Sequence, residues 1–252
     1  MAIYVQDIQQ YLDEYLRVSE VGDSAEALNG LQLDHDAEVT RFAAAVDLCV
    51  ATIEAAAATG AELMLVHHGL FWAGLQPLTG RHGRRVRRMV EAGIALYSAH
   101  IPLDLHPDVG NNAVLARELG VAGCEWFGDY KGEKLGVAGS LSIAFEDLVT
   151  RVGDIVGAHP RTLAHGPRTV SRVGIISGGG GGMIAQAHEV GADTYITGEG
   201  KHESYFDAEE LGVNVVYAGH YATETLGVKA LAAHLSEKFG LPWEFLDHPT
   251  GM

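Results

Sequence analysis

The sequence predicts an α/β protein of two related lobes with mostly parallel sheets and a metal site in the cleft between them. Three observations predict it. Short apolar runs alternate with helical patterns, which implies right-handed strand–helix–strand crossovers. That scheme occurs twice along the chain. Histidines and carboxylates gather at the ends of three apolar runs, where open α/β sheets bind their ligands.

The elements follow in order. Ile8, Leu12, Tyr15 and Leu16 share one face at helical spacing, so the chain opens on an amphipathic helix. After a turn at Asn29-Gly30 comes a buried strand over Phe42–Val46, then a helix over Ala51–Ala58 stopped by Gly60, then a strand over Leu63–Val66. Val86, Met89 and Val90 mark a helix, Ile94–Tyr97 a strand, and Val114, Leu115 and Leu119 another helix. Residues 121–134 hold glycines and no apolar period, and read as a linker, so the lobes are expected over residues 1–124 and 125–252. The second lobe repeats the first. Val39-Thr40-Arg41-Phe42 aligns with Val170-Ser171-Arg172-Val173, and the same constant offset pairs Ile53 with Ile184, Gly60 with Gly191 and Gly69 with Gly200. A slightly smaller offset then pairs His100–Asp104 with His220–Glu224, each of the form His-x-x-x-acid after an apolar strand.

Composition narrows the function. Hydrophobic residues at 47% and charged residues at 20% give a real core and exclude disorder. The net charge of −16 repels phosphate backbones, so neither nucleic acid nor an anionic membrane is an expected partner. Two cysteines, Cys49 and Cys124, are too few for a disulfide scaffold or a cysteine zinc site. No signal peptide or membrane span is visible, and a reduced cytoplasmic setting is expected. Thirteen histidines are many for one short chain, which makes their placement the first question.

The chemistry-bearing residues fall at strand ends. His67 and His68 follow the run 63–66, His100 and Asp104 follow 94–97, and His220 and Glu224 follow 213–217. Neighbours on a strand point to opposite faces, so His67 and His68 serve one metal each if the strand end leaves regular geometry. Imidazoles with carboxylates suit zinc, iron, manganese or nickel better than calcium. The set is too large for one tetrahedral catalytic zinc and matches two divalent ions per chain, roughly 3.5–4 Å apart, sharing a carboxylate and a hydroxide. A single histidine of this kind is more often a satisfied polar residue near a helix cap. Three strand ends offering the same chemistry reverse that preference.

The stretches Asn29-Gly30-Leu31-Gln32, His67-His68-Gly69-Leu70-Phe71-Trp72, Ala99–Asp104, Thr197-Gly198-Glu199 and Gly219–Glu224 resemble the Nif-three-like dinuclear metal centre proteins, also known as GTP cyclohydrolase type 2 homologues. The resemblance runs from the first helix to the last. It implies that His68 and Asp104 bind one metal, that His67 and His220 bind the other, and that Glu224 bridges them. His100 occupies the pseudo-symmetric position and is expected beside the ligands or at the substrate; the resemblance also implies a ring-shaped homohexamer. The activity it implies is metal-dependent hydrolysis of GTP or another phosphorylated small molecule. The rival reading is a metal-binding interaction or metal-handling ring without turnover.

Three further features bear on the site. Arg81, Arg84, Arg85, Arg87 and Arg88 crowd together after the His-His turn. A solvated helix face accounts for most of them, and one or two near the metals would suit bidentate binding of an anionic substrate. Gly178–Gly182 lacks the Lys-Ser/Thr of a phosphate loop and reads as a tight turn. Lys201, His202 and Glu203 stand at the strand end equivalent to that of His67 and His68. A solvated loop accounts for them equally well. His202 and His100 are the candidate proton-transfer residues, given an ordinary imidazole pKa near 6.5.

Overall fold

A computed structural model describes residues 2–71, 74 and 76–252. Trp72, which ends the His-His-Gly-Leu-Phe-Trp stretch, lies outside them. The chain divides into two compact units. One comprises Met1–Val109 with Val228–His248, the other Gly110–Gly227 with Pro249–Met252. The break expected at residue 124 falls instead inside a strand of the second unit, and the chain returns to the first unit at Val228.

The first unit is a five-stranded sheet covered by helices on both faces. Its elements are α1 (Val5–Tyr15), β1 (Gly30–Leu33), β2 (Phe42–Asp47), α2 (Val50–Thr59), β3 (Leu63–His68), α3 (Gly80–Ala92), β4 (Ala95–Ser98) and the short α4 (Ile101–Asp104). The strand order is β1-β4-β3-β2-β11, β11 being Trp243–Phe245, and every pairing but that of β1 is parallel. Side chains alternate across the sheet with period two. Phe42, Ala44, Leu63, Leu65, Ala95 and Tyr97 pack with α1 and with residues from Val228 onward. Ala43, Ala45, Met64, Val66 and Leu96 pack with Ile53 of α2 and Met89 of α3. That second set shares its sheet face with Asp47 and His68, which pair in register at the ends of β2 and β3.

The second unit carries α5 (Asn111–Leu119), β5 (Ala122–Tyr130), β6 (Glu133–Ala144), α6 (Phe145–Val156), β7 (Arg161–Ala164), β8 (Thr169–Ile176), a 3₁₀ turn (Gly180–Gly182), α7 (Ile184–Glu189), β9 (Thr194–Thr197), α8 (Ser204–Leu211) and β10 (Asn214–Tyr217). The long helix α9 (His220–Phe239) starts here and continues into the first unit. The strand order is β5-β6-β8-β9-β10-β7. The centre, β8-β9-β10, is parallel, and its flanks are antiparallel.

The repeat read from the sequence is present as register. Phe42 pairs with Leu63 in one sheet and Val173 with Thr194 in the other. Phe42 to Val173 and Leu63 to Thr194 are the same step along the chain, the one that aligns the two lobes. The helices follow suit: α7 and α8 cover the same relative face of their strands as α2 and α3 do.

Residues 121–134 are no linker. They form β5 and the turn into β6, a two-residue hairpin loop of Lys131 and Gly132 at φ 54° and 90° between paired Tyr130 and Glu133. Two positive φ values in a row are the mark of the mirror-image turn that matches strand twist. β5 escaped detection because it is mostly exposed and carries no apolar alternation.

Candidate metal centre

In the first unit β3 carries His67 and His68 at its end, His67 fully buried and His68 partly. Regular alternation would send the two rings to opposite faces. Their centroids nevertheless lie 4.7 Å apart, and His100 stands 4.9 Å from His67 and 5.6 Å from His68. One nitrogen from each of His67, His68 and His100 falls within 4.8 Å of the others. Asp104, buried one helical turn past His100, brings its Oδ2 to 3.7 Å from His67 Nε2.

Every one of these rings is anchored through Nδ1. His67 Nδ1 meets the Ala99 carbonyl at 2.8 Å, His68 Nδ1 meets Asp47 Oδ1 at 2.8 Å, and His100 Nδ1 meets the Asp23 carboxylate at 3.0 Å. An Nδ1–H donated to a carbonyl or carboxylate fixes the tautomer that leaves Nε2 basic, the usual arrangement of a metal-binding histidine. Burial lowers the pKa of His100, which keeps its imidazole neutral and able to ligate. Burial alone would raise Asp23, yet the hydrogen bonds from His100 and Asn29 prevail and hold its carboxyl at about 2.

The Asn29–Gln32 stretch positions both histidine turns. Asn29 Oδ1 accepts from the His100 backbone N–H at 2.7 Å and its amide donates to Asp23 at 2.8 Å. Gln32 Oε1 accepts from the Leu70 N–H at 2.7 Å, crossing Gly69 so closely that a Cβ there would collide with the Gln32 amide. That contact explains why glycine follows the His-His pair.

In the second unit the first turn of α9 presents His220 and Glu224 at i, i+4, with Nε2 3.1 Å from Oε1. Glu224 is buried, 4% exposed. His220 Nδ1 meets Glu199 Oε1 at 2.9 Å, the same anchoring seen in the first unit. Hydrogen bonding to Glu224, opposed by burial and aided by Glu199, raises the His220 pKa to about 9. The Gly178–Gly182 segment forms the wall beside them. Gly178 has φ 61°, and a Cβ on it would run into Glu224 Oε1. It is a tight turn, as its sequence implies. Tyr195 Oη donates to the Gly180 carbonyl at 2.7 Å and Ser204 Oγ to that of Gly181 at 2.9 Å.

The structure therefore gathers His67, His68, His100 and Asp104 in one unit and His220 with Glu224 in the other. His100 sits among the histidines that could ligate, closer to them than a remote proton carrier would need to be. His202 is exposed and packs its ring edge against Phe206 at 5.7 Å. Among the described residues it makes no hydrogen bond or ion pair to His220, Glu199 or Glu224. Sequence reasoning assigns no role to Asp23, Asp47 or Glu199. Glu199 alone carries a signal: it is the counterpart of His68 in the repeat, at the equivalent strand end.

The donors fit a divalent transition metal. Imidazoles with anchored Nδ1 atoms and buried carboxylates are the ligands such ions take. The chain is matched over residues 3–250 by the model of the Duf34/NIF3 (NGG1p interacting factor 3) family. A Deinococcus radiodurans relative named GTP cyclohydrolase 1 type 2 homolog is 46% identical over 248 residues, covering 98% of this chain and 94% of the relative. A Pyrococcus abyssi protein of the same name is 42% identical, covering 98% of this chain and 99% of the relative. Among solved structures, a Thermus thermophilus protein is 42% identical with a TM-score of 0.89, covering 99% of this chain and all of the other. Reduced HcgD from Methanocaldococcus jannaschii is 26% identical with a TM-score of 0.86, covering 98% and 99%. On the full-length family match and these relatives, the chain belongs to the Duf34/NIF3 family.

Proposed function

We propose that the protein is a metal-dependent hydrolase whose substrate is GTP or another phosphorylated small molecule. The observation that carries this reading is the anchoring of His67, His68, His100 and His220 through Nδ1, which orients four Nε2 atoms as ligands, that of His220 once its proton has left. Family membership adds to it, because the relatives bear the name of a cyclohydrolase homologue. Asp104 and Glu224 complete the donor set. We assign two divalent ions per chain, zinc, iron, manganese or nickel, which His67, His68, His100 and Asp104 of the first unit and His220 and Glu224 of the second would hold.

Metals held in this way supply an acidified water and a Lewis acid for the substrate. The chain's own contribution is orientation. Asp23, Asp47 and Glu199 orient three imidazoles through Nδ1, while Asn29 and Gln32 fix the turns that carry His100 and the His67-His68 pair. His100, neutral through burial, is the group placed either to ligate or to take a proton. The net charge of −16 keeps polyanions from the general surface, so an anionic substrate needs the local positive charge of the metals. Free Cys49 and Cys124 suit a reducing cytoplasm. We further assign a homohexamer, on the family resemblance alone; a stable monomer in sedimentation at micromolar concentration would remove it.

A metabolite screen on metal-loaded protein beside Glu224→Gln tests the reading. Turnover of a phosphorylated compound that the variant lacks supports it. Elemental analysis giving one metal or fewer per chain overturns the dinuclear assignment. The second reading, a metal-binding interaction protein, is favoured by the interacting-factor description of the family. Metal-dependent partner binding without turnover would select it.

A further inference from the structure

The arginine-rich helix α3 holds polar groups that neither the core nor the metal ligands account for. Arg84 and Arg87 reach solvent along the helix and need no partner. Arg88 is exposed too, with Glu54 and Glu91 each 3.9 Å away. Arg85 is different. Its side chain is half-buried, its Nε is shielded from solvent, and among the described residues that Nε has no hydrogen-bond partner. Among the described residues no carboxylate lies within ion-pair distance of Arg85 or of Arg81, in a chain with 33 acidic residues.

His82 repeats the pattern. It is 7% exposed, its ring stands edge-on to Phe71 at 5.7 Å, and its buried Nε2 is likewise without a partner among the described residues. His82 and Arg85 are three residues apart on α3 and therefore share a face. Buried polar atoms are nearly always satisfied, so two nitrogens on one helix face without partners among the described residues point to a ligand. The carboxylate of Asp47 acts on Arg85 only at a distance, and it is already engaged by His68 Nδ1. Asp47 shares its sheet face with His68, so the α3 donors lie on the side of the sheet that carries one of the candidate metal ligands.

We propose that Arg85, with His82 and Arg81, binds a phosphoryl group of the substrate. The guanidinium Nε–H and an Nη–H offer parallel donors to two oxygens, His82 Nε2–H offers a third, and Arg81 adds a second positive charge. A tetrahedral oxyanion has oxygens for all of them, whereas a carboxylate has two. This assignment deepens the hydrolase reading and rests on it for the word substrate; the anion site itself stands on α3 alone.

The test is calorimetric titration of the full chain with inorganic phosphate, as purified and after dialysis against a chelator, with acetate as the carboxylate arm. Phosphate is expected to bind in both states, more tightly than acetate. Arg85→Gln is expected to weaken it about tenfold or more, Arg85→Lys to restore part of the loss, and Arg87→Gln to leave it unchanged. Arg81→Gln, on the exposed first turn, carries the same test if Arg85→Gln does not fold, and is expected to weaken phosphate as well. Unchanged phosphate affinity in the Arg85 variants, acetate binding as tightly as phosphate, or loss of phosphate binding on chelation would each overturn the proposal. The chelated arm separates this result from the metal reading: a protein that binds phosphate there but holds no metal keeps the anion site and loses the hydrolase.

Discussion

At the scale of single residues His220 is the imidazole whose protonation is decided by what touches Nδ1 and Nε2. His220 is raised to about 9 by its carboxylate neighbours, above its ordinary value of 6.5. In the metal-free protein its ion pair therefore adds stability fully below pH 6.5, and that stability is lost as pH rises through about 9. Metal binding runs the other way, because the ion must displace the proton. Apparent affinity is expected to climb about tenfold per pH unit from 7 toward 9, then flatten. Calorimetry in buffers of different ionisation heat should find about one proton released at pH 7 in the wild type and none from this position in His220→Gln. Equal proton release in the two proteins would show that His220 is not a ligand.

Asp23 makes a second prediction at this scale. It holds His100 Nδ1, receives the Asn29 amide and lies 3.3 Å from the Ile101 N–H. Asp23→Ala should lower metal affinity about 10- to 100-fold, the usual effect of removing such a partner. Competition with a chromophoric chelator would measure it. The residue was invisible in the sequence because it sits in an irregular stretch, far along the chain from its partner. The candidate ligands His67, His68, His100, Asp104, His220 and Glu224 stood out in the sequence because strand ends concentrate them and the His-x-x-x-acid spacing repeats.

At the scale of elements the glycines show where backbone must come close. Gly178→Ala would put a Cβ into Glu224 Oε1 and strain a positive φ. The expected result is loss of metal at His220–Glu224 with a melting temperature lowered by several degrees, as a loss of about 1–3 kcal/mol implies. Unchanged metal content would mean that Glu224 has room to move aside. In the core, Phe42→Ala should cost about 3–5 kcal/mol, read by urea denaturation, since Phe42 of β2 is wholly buried on the side of the sheet that packs against α1. The parallel strands were readable because burial on both faces leaves continuous apolar runs, such as Phe42–Val46. β5 and the short edge strands β1, β7 and β11 were not, because exposed or very short strands leave too little pattern. Their pairing is settled by long-range contacts that no local window contains.

At the scale of the whole molecule the repeat was legible and the boundaries were not. The constant offset between the lobes survives in the register of both sheets, whereas the division at Val109 and Val228 depends on which core the last helix and strand join. Sequence order puts that helix after the second lobe; packing puts Val228, Leu231 and Leu235 in the core of the first.

That excursion and return has a consequence for how the chain is made. Synthesis runs from the N-terminus, so Met1–Val109 emerges before the partners that close its core. Until the ribosome has delivered α9 and β11, the outer edge of β2 stays open and the α1 side of the sheet stays partly uncovered. The intervening stretch, Gly110–Gly227, meanwhile holds all six of its strands and can consolidate first. A chain released at Gly227 should keep slow amide exchange in β8, β9 and β10 and lose it in β2, β3 and β4. The part translated earliest is thus the part that must wait longest, its open strand edge exposed to wrong pairing in the interval.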